Sequence, residues 1–296
     1  MKLHDARVVL TGASGGIGQA MAAALVQAGA SVMLVGRSPG RLAAQARELG
    51  REGASQDARR IGWHAADLAR MSSIGSTADV AAGWGCNALV HNAGVPGFGR
   101  IEALDATEMA QVLHLNLFVP MLLTQALTPH LRTLAQARIV FVGSVLGRMG
   151  LPGYSVYSAS KFGLRGFAEA LRRELGDSAI GVQYLGPRST RTRFNSDAVD
   201  AYNQATGTAV DSPDVAAQAL LKLLESGAAE RFLGFPESIA ARINGLAPAL
   251  LDGAFAKHRR SLPPVPAPAA ASPSLDCGVQ AGPAEAGSPS PMPGAI

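Results

Sequence analysis

The sequence predicts an α/β fold, a doubly wound parallel sheet of about seven strands with helices on both faces. Three observations predict it. Short apolar, β-branched runs alternate with longer helical stretches through the first 235 residues. A glycine-rich turn joins the first run to the first helix. Polar residues able to do chemistry fall at the carboxyl ends of the runs, where open parallel sheets bind their ligands.

Residues 7–11 form the first apolar run, and 17–27 a helix of small and apolar residues. A strand at 31–35 and a polar helix at 41–49 follow, then a strand at 60–65 and a helix around 71–82. A fourth strand covers 88–91, and one long helical stretch covers about 105–131. Strand 138–142, helix 157–175 and strand 180–185 come next. Helix 213–225 starts at Pro213, a residue suited to a first turn, and a short last strand spans 231–233. Right-handed crossovers assemble such units into a doubly wound sheet.

Three regions result: a catalytic domain over 1–235, a helical extension over 236–262 and a tail over 263–296. The extension places Ile239, Ile243, Leu246, Leu250 and Phe255 on one stripe, interrupts the helix at Pro248 and ends in Lys257-His258-Arg259-Arg260. It suits a lid, an oligomer contact or a peripheral membrane anchor. The tail holds nine of the 18 prolines and only two charges, Asp276 and Glu285, a composition that predicts disorder.

The 296 residues are 48% hydrophobic, enough for a sizeable core. A net charge of +4 tolerates phosphate-bearing ligands or an anionic membrane surface. It is too small to argue for nucleic acid, and no basic cluster is interleaved with aromatics. Cys86 and Cys277 lack metal-ligand spacing or a disulfide framework, and no signal-peptide segment opens the sequence. A cytoplasmic protein with reduced thiols is expected, membrane association through 236–262 being the alternative. Residues 109–131 lack Asp, Glu, Lys and Arg, but His114, Asn116, Pro120, Gln125, Pro129 and His130 favour a buried core helix over a membrane span.

The turn reads Thr11-Gly12-Ala13-Ser14-Gly15-Gly16-Ile17-Gly18. Glycines let backbone N–H groups approach a pyrophosphate, and the helix N-terminus adds positive potential. Gly12, Ser14, Gly15, Gly16, Ile17 and Gly18 are therefore candidate cofactor-binding residues; an ordinary tight turn is the alternative. After the second strand, Val35-Gly36-Arg37-Ser38 offers no carboxylate for a ribose 2′-hydroxyl. Arg37 can instead pair with a 2′-phosphate, which points to NADP(H), unless it is simply a solvated surface residue.

Tyr157 and Lys161 stand four apart, on one face of a helix. A phenol titrates near ~10, and a neighbouring ammonium favours the phenolate. Tyr157 can then exchange a proton with a substrate oxygen while hydride moves to or from the cofactor. Ser144, at the end of the fifth strand, can hydrogen-bond the same oxygen.

With Asp67, Asn92-Ala93-Gly94 and Asn116, these motifs resemble the short-chain dehydrogenases/reductases over about residues 5–235. The thirteen-residue step from Ser144 to Tyr157 also matches. The resemblance implies a Rossmann-like domain. It implies that Asp67 holds the adenine amino group beside Leu68, and that Asn92, Ala93 and Gly94 line the inner ribose. Lys161 holds the nicotinamide ribose and lowers the Tyr157 pKa, and Asn116 anchors a water that relays protons to Lys161. Read from the residue alone, Asn116 caps a helix irregularity before Pro120.

Leu185-Gly186-Pro187-Arg188-Ser189-Thr190-Arg191-Thr192 departs from the family's usual Pro-Gly. Pro187 and Thr192 match and would border the nicotinamide amide. Arg188 replaces the glycine and is expected to turn towards the loop or an acidic group. Arg191 and Arg193 suit an acidic or phosphorylated substrate, or a solvated loop face. The expected activity is NADP(H)-dependent interconversion of an alcohol with a ketone or aldehyde. The alternative is a non-catalytic NADP(H)-binding sensor or scaffold; an epimerase or dehydratase would need a larger substrate domain than residues 186–212 allow. Helix 109–131 and the helix after Tyr157 suit helix pairing in a homodimer or homotetramer.

Overall fold

A computed structural model describes residues 1–52, 61–234, 244–245 and 247–264. Seven parallel strands form one sheet: β1 Arg7–Thr11, β2 Ser31–Gly36, β3 Ile61–Ala65, β4 Ala88–His91, β5 Ala137–Val142, β6 Ile180–Gly186 and β7 Glu230–Phe232. Their order is β3-β2-β1-β4-β5-β6-β7, so the winding reverses between β1 and β4. A crevice for a ligand opens at such a reversal.

Side chains alternate across each strand and feed two cores. Val8 and Leu10 of β1 join Leu25, Leu34 and Leu220 beneath helices α1 Gly16–Gln27, α2 Pro39–Glu52 and, between β6 and β7, Pro213–Ser226. Val9 points the other way and meets Leu89, Phe141, Leu123 and Leu164 under α3 Ser72–Gly83 and the helices that follow it. Cys86 is buried here as a free thiol, pushed up to about 12 chiefly by burial; Cys277 lies outside the described residues.

The single helix expected over 105–131 is in fact three pieces. α4 Ala106–Leu113 begins at Asp105, whose carboxylate accepts the Glu108 N–H. His114–Phe118 then forms a π-helical turn, and α5 Val119–Arg132 continues. Pro120 lacks an N–H and cannot close the ordinary bond to the Asn116 carbonyl, so the ladder widens there. One face of α5 packs inward through Val119, Leu123, Leu127 and Leu131, while Leu113 and Phe118 are exposed. The stretch is thus half-covered, not a fully buried core helix.

After α6 Ser155–Glu174 and β6, the stretch before Pro213, to which the sequence assigns no element, is not all loop. It contains helix α7 Asp197–Thr206, capped by the Ser196 hydroxyl and ended by Gly207 at φ 74°. Val199 and Tyr202, three apart, bury its inner face. Helix Pro213–Ser226 is α8 and stops at Gly227, φ 68°.

Much of the expected extension, including Ile239, Ile243 and Leu246, lies outside the described residues, as does the tail beyond 264. Arg60, placed by the sequence in the third strand, also lies outside them. Past Pro248 the chain forms a 3-10 helix, Pro248–Phe255, and a short α-helix, Ala256–Arg260, in place of a continuing α-helical stripe. It binds its own chain. His258 Nδ1 lies 2.8 Å from the Tyr202 hydroxyl, and Lys257 donates to the Thr206 carbonyl at the end of α7 (3.2 Å). Arg100 donates to the Pro263 carbonyl (2.8 Å).

Candidate active site

The glycine turn leaves β1 at Gly12, whose φ of 64° suits glycine. A Cβ there would lie 2.8 Å from Ala93 Cα, and one on Gly18 would strike the Gly12 carbonyl. The turn therefore packs backbone on backbone, with Gly15 exposed at its crest and the N-terminus of α1 directly behind. Such a cradle fits a pyrophosphate, which a side chain would exclude.

Thr11 ties this turn to the next loop. Its hydroxyl accepts the N–H groups of Asn92 (3.0 Å) and Ala93 (3.1 Å) and donates to the Val90 carbonyl (3.3 Å). Asn92 returns the contact, donating to the Thr11 and Gly12 carbonyls. Thr11 is legible in the sequence only as part of the glycine motif; its position one before Gly12, at the strand end, is the signal for this role.

Arg37 and Asp67 stand at the ends of β2 and β3, on the far side of the crevice from Tyr157. Arg37 is exposed. Asp67 accepts the Ala69 N–H (3.3 Å) and approaches Arg70 (3.7 Å), while Leu68 is buried beside it. Pro187 and Thr192 follow β6, and Thr192 reaches the turn: a Cβ on Gly16 would lie 2.6 Å from its Cγ2.

Ser144, Tyr157 and Lys161 come together from β5 and α6. Lys161 is buried, and its ammonium donates to the Val142 carbonyl (3.3 Å) and lies 5.5 Å from the centre of the Tyr157 ring. Burial lowers the Lys161 pKa to about 8. Tyr157 differs from the expectation of a phenol held low. Burial, then the neighbouring phenols of Tyr184 and Tyr154, push it above its ordinary value, and only a hydrogen bond with Ser144 works against them. Burial thus raises the phenol and lowers the lysine, each towards its neutral form.

Asn116 faces this group from the π turn and is buried. Its Oδ1 accepts the Val95 N–H (2.8 Å), and its Nδ2 donates to the Val95 carbonyl (3.0 Å) and to Ser160 Oγ (3.3 Å). It braces the loop that carries Gly94 past the Lys161 ammonium.

Arg188 meets an acidic group as expected. Its Nε and Nη2 bond the two carboxylate oxygens of Asp211 at 2.9 and 2.7 Å. The substrate side also holds aromatic residues that no motif in the sequence marks. Phe194 lies 6.3 Å from the Tyr157 ring and Tyr154 6.2 Å, and Tyr154 packs on Phe98 and Tyr202. All four tyrosines of the chain, Tyr154, Tyr157, Tyr184 and Tyr202, lie in or against this site.

A doubly wound sheet with a glycine cradle on β1, and a buried serine, tyrosine and lysine beyond β5, defines a dinucleotide-type oxidoreductase. A model of the short chain dehydrogenase family matches residues 6–203, and the chain belongs to that family. Among its relatives, "Dehydrogenase/reductase SDR family member 7B" of Danio rerio is 29% identical over 268 residues, covering 87% of each chain. "Uncharacterized oxidoreductase YbbO" of Escherichia coli K12 is 31% identical, covering 73% of this chain and 77% of that one. A short-chain dehydrogenase from Sphingobium yanoikuyae, solved in complex with NADPH, superposes with a TM-score of 0.69 at 27% identity, covering 84% of this chain and 95% of that one.

Proposed function

We propose that the protein is an NADP(H)-dependent oxidoreductase that interconverts an alcohol with a ketone or aldehyde. The observation that carries this is the convergence of Ser144, Tyr157 and Lys161 on the crevice lined by the glycine turn. Arg37, with no carboxylate beside it in Val35-Gly36-Arg37-Ser38, supports the 2′-phosphate, as does the NADPH bound by the Sphingobium relative.

Gly12, Ser14, Gly15, Gly16, Ile17 and Gly18 would hold the pyrophosphate, and Arg37 the 2′-phosphate. Asp67 and Leu68 would take the adenine, and Asn92, Ala93 and Gly94 the inner ribose. Lys161 would take the nicotinamide ribose, and Pro187 and Thr192 the carboxamide. The bound dinucleotide supplies or accepts the hydride.

In reduction, the Tyr157 hydroxyl gives its proton to the substrate oxygen, which Ser144 orients through a hydrogen bond. In oxidation, Tyr157 takes the proton back. Burial keeps Tyr157 protonated, the state from which it donates. The ammonium of Lys161 and a positive nicotinamide favour the phenolate needed for the base role. Asn116 acts by keeping the Gly94 loop and α6 in register, with a water between it and Lys161 as the route for proton exchange.

The wall of Phe98, Tyr154, Phe194 and Tyr202 favours an apolar or aromatic carbonyl substrate. Residues 247–262 act as a cover on this wall, a role supported by the bonds of Lys257 and His258 to α7. Exposed Leu113, Phe118 and Phe162 on α4–α6 support pairing with a second copy.

The test is NADPH and NADH oxidation by the purified full chain across a panel of ketones and aldehydes, with Tyr157→Phe alongside. Turnover with NADPH that disappears in the variant supports the reading. Tight NADPH binding with no turnover on any carbonyl would make it a sensor.

A further inference from the structure

We propose that Tyr184 is a positioning residue for Ser144: its buried hydroxyl clasps the Ser144 backbone and so fixes where the Ser144 side chain stands. The proposal rests on the reading of Ser144 as the residue that orients the substrate oxygen.

Ser144 is the second residue beyond β5. The ladder to β6 continues on either side of it, through Gly143 N–H to the Leu185 carbonyl (2.8 Å) and Val145 N–H to the Pro187 carbonyl (2.9 Å). In a parallel ladder alternate residues bond opposite neighbours, so the Ser144 N–H faces away from β6. On that other side β4 has already ended, its pairing with β5 stopping at His91 opposite Phe141. Among the described residues no strand is left to take this N–H, and an unpaired buried amide is costly.

Tyr184 supplies the partner. Its phenol oxygen accepts the Ser144 N–H at 3.1 Å, and its hydroxyl donates to the Ser144 carbonyl at 3.1 Å. That carbonyl also accepts the Gly147 N–H (3.0 Å), while the Ser144 N–H donates to Tyr184. A fully buried phenol with both its donor and its acceptor on one residue has little freedom to shift.

Two glycines leave the ring room to cross. A Cβ on Gly143 or on Gly147 would run into the Tyr184 hydroxyl. Behind it the ring rests on Phe232 of β7, with centroids 5.6 Å apart. Ser144 itself is extended, at φ −164° and ψ 162°, and its Oγ accepts the Leu146 N–H at 3.1 Å. The side chain therefore sits on a backbone pinned at both ends, beside Tyr157. Both hydrogen bonds of the Tyr184 hydroxyl end on the Ser144 backbone, and it is through them that it positions the Ser144 side chain.

The test compares Tyr184→Phe with Phe232→Leu in the full-length protein. Phe232→Leu loosens the same ring but leaves the hydroxyl, and so controls for lost stability. Tyr184→Phe should lower kcat on the order of ten- to a hundredfold, the scale of a misplaced catalytic contact, with KM for NADPH unchanged. Amide hydrogen exchange at Ser144 should quicken in Tyr184→Phe and not in Phe232→Leu. Wild-type Ser144 should be protected, a result that needs neither turnover nor a folded variant.

Rapid exchange at Ser144 in the wild type would overturn the proposal. So would a Tyr184→Phe protein with the wild-type kcat, or a Phe232→Leu protein that loses as much kcat. Absence of any wild-type turnover counts against the proposed function alone, and the exchange data then decide the role of Tyr184.

Discussion

Arg188 and Asp211, 23 residues apart, close the base of the substrate loop with two parallel hydrogen bonds of 2.9 and 2.7 Å. Thr190 and Asp211 add a β-bridge, the Arg191 N–H bonds the Asp211 carbonyl and the Asp211 N–H bonds the Ser189 carbonyl. Helix α7 is thereby presented from a stitched stem. The pair is mostly buried, so removing one partner leaves a charge without its match.

Arg188→Gly should therefore destabilise the fold by about 1–3 kcal/mol, less than a fully buried pair because some solvent screening persists. The loosened stem should raise KM for the carbonyl more than KM for the cofactor. Urea midpoints and steady-state kinetics check both parts, and unchanged values for both would remove the clamp from the argument.

Tyr157→Phe should lower kcat by about a hundred- to ten-thousandfold, the usual contribution of a positioned acid or base. Cofactor affinity should be retained, because the ribose contacts fall to Lys161. Lys161→Met should lose both turnover and affinity. Fluorescence titration with NADPH separates the two effects.

Arg37→Ala should weaken NADPH by about tenfold and leave NADH unchanged, in keeping with one charged hydrogen bond of about 1.5–3 kcal/mol partly replaced by solvent. The ratio of kcat/KM for the two cofactors is the readout. No loss for either would assign Arg37 to the solvated surface.

His91 is buried against Thr124 (2.8 Å) and stacked on Phe141, and burial lowers its pKa to about 3. The unfolded chain binds this proton near ~6.5. Between those values the unfolded state holds more protons, so stability is full above the unfolded pKa and falls as pH drops towards the folded one. Urea midpoints from neutral to acid pH should show that slope, and His91→Gln should lose one proton's share of it.

The phenols give the opposite sign. Tyr154 is pushed up to about 12, and Tyr157, Tyr184 and Tyr202 are also raised, each chiefly by burial. Their stabilising share is present below the unfolded value of about 10 and is lost as pH rises through the folded values. An alkaline absorbance titration of the folded chain without cofactor should show tyrosinate appearing later than in free tyrosine. Ordinary titration of all four would contradict the packing described here.

Local pattern carried the strands, the glycine turn and the Tyr157–Lys161 pair, because each is written in spacing along one element. Seven strands were countable, and only their ends moved. Helix α7 was missed although Ser196, Val199, Tyr202 and Gly207 spell a cap, a buried face and a stop; the expectation of a loop hid them. The π turn was signalled by Pro120 but not its width. Tyr184 with Ser144 and Arg188 with Asp211 are pairings across 40 and 23 residues. Nothing local to either partner announces such contacts, since only the sheet order brings them together.

The crossing of Tyr184 over two glycines also sets a direction for sequence change. Gly143 and Gly147 cannot gain a side chain while the phenol stands above them, yet the phenol can be trimmed while they stay bare. Any lineage leaving this arrangement must shorten position 184 first and enlarge 143 or 147 afterwards. A lineage entering it must travel the same road in reverse.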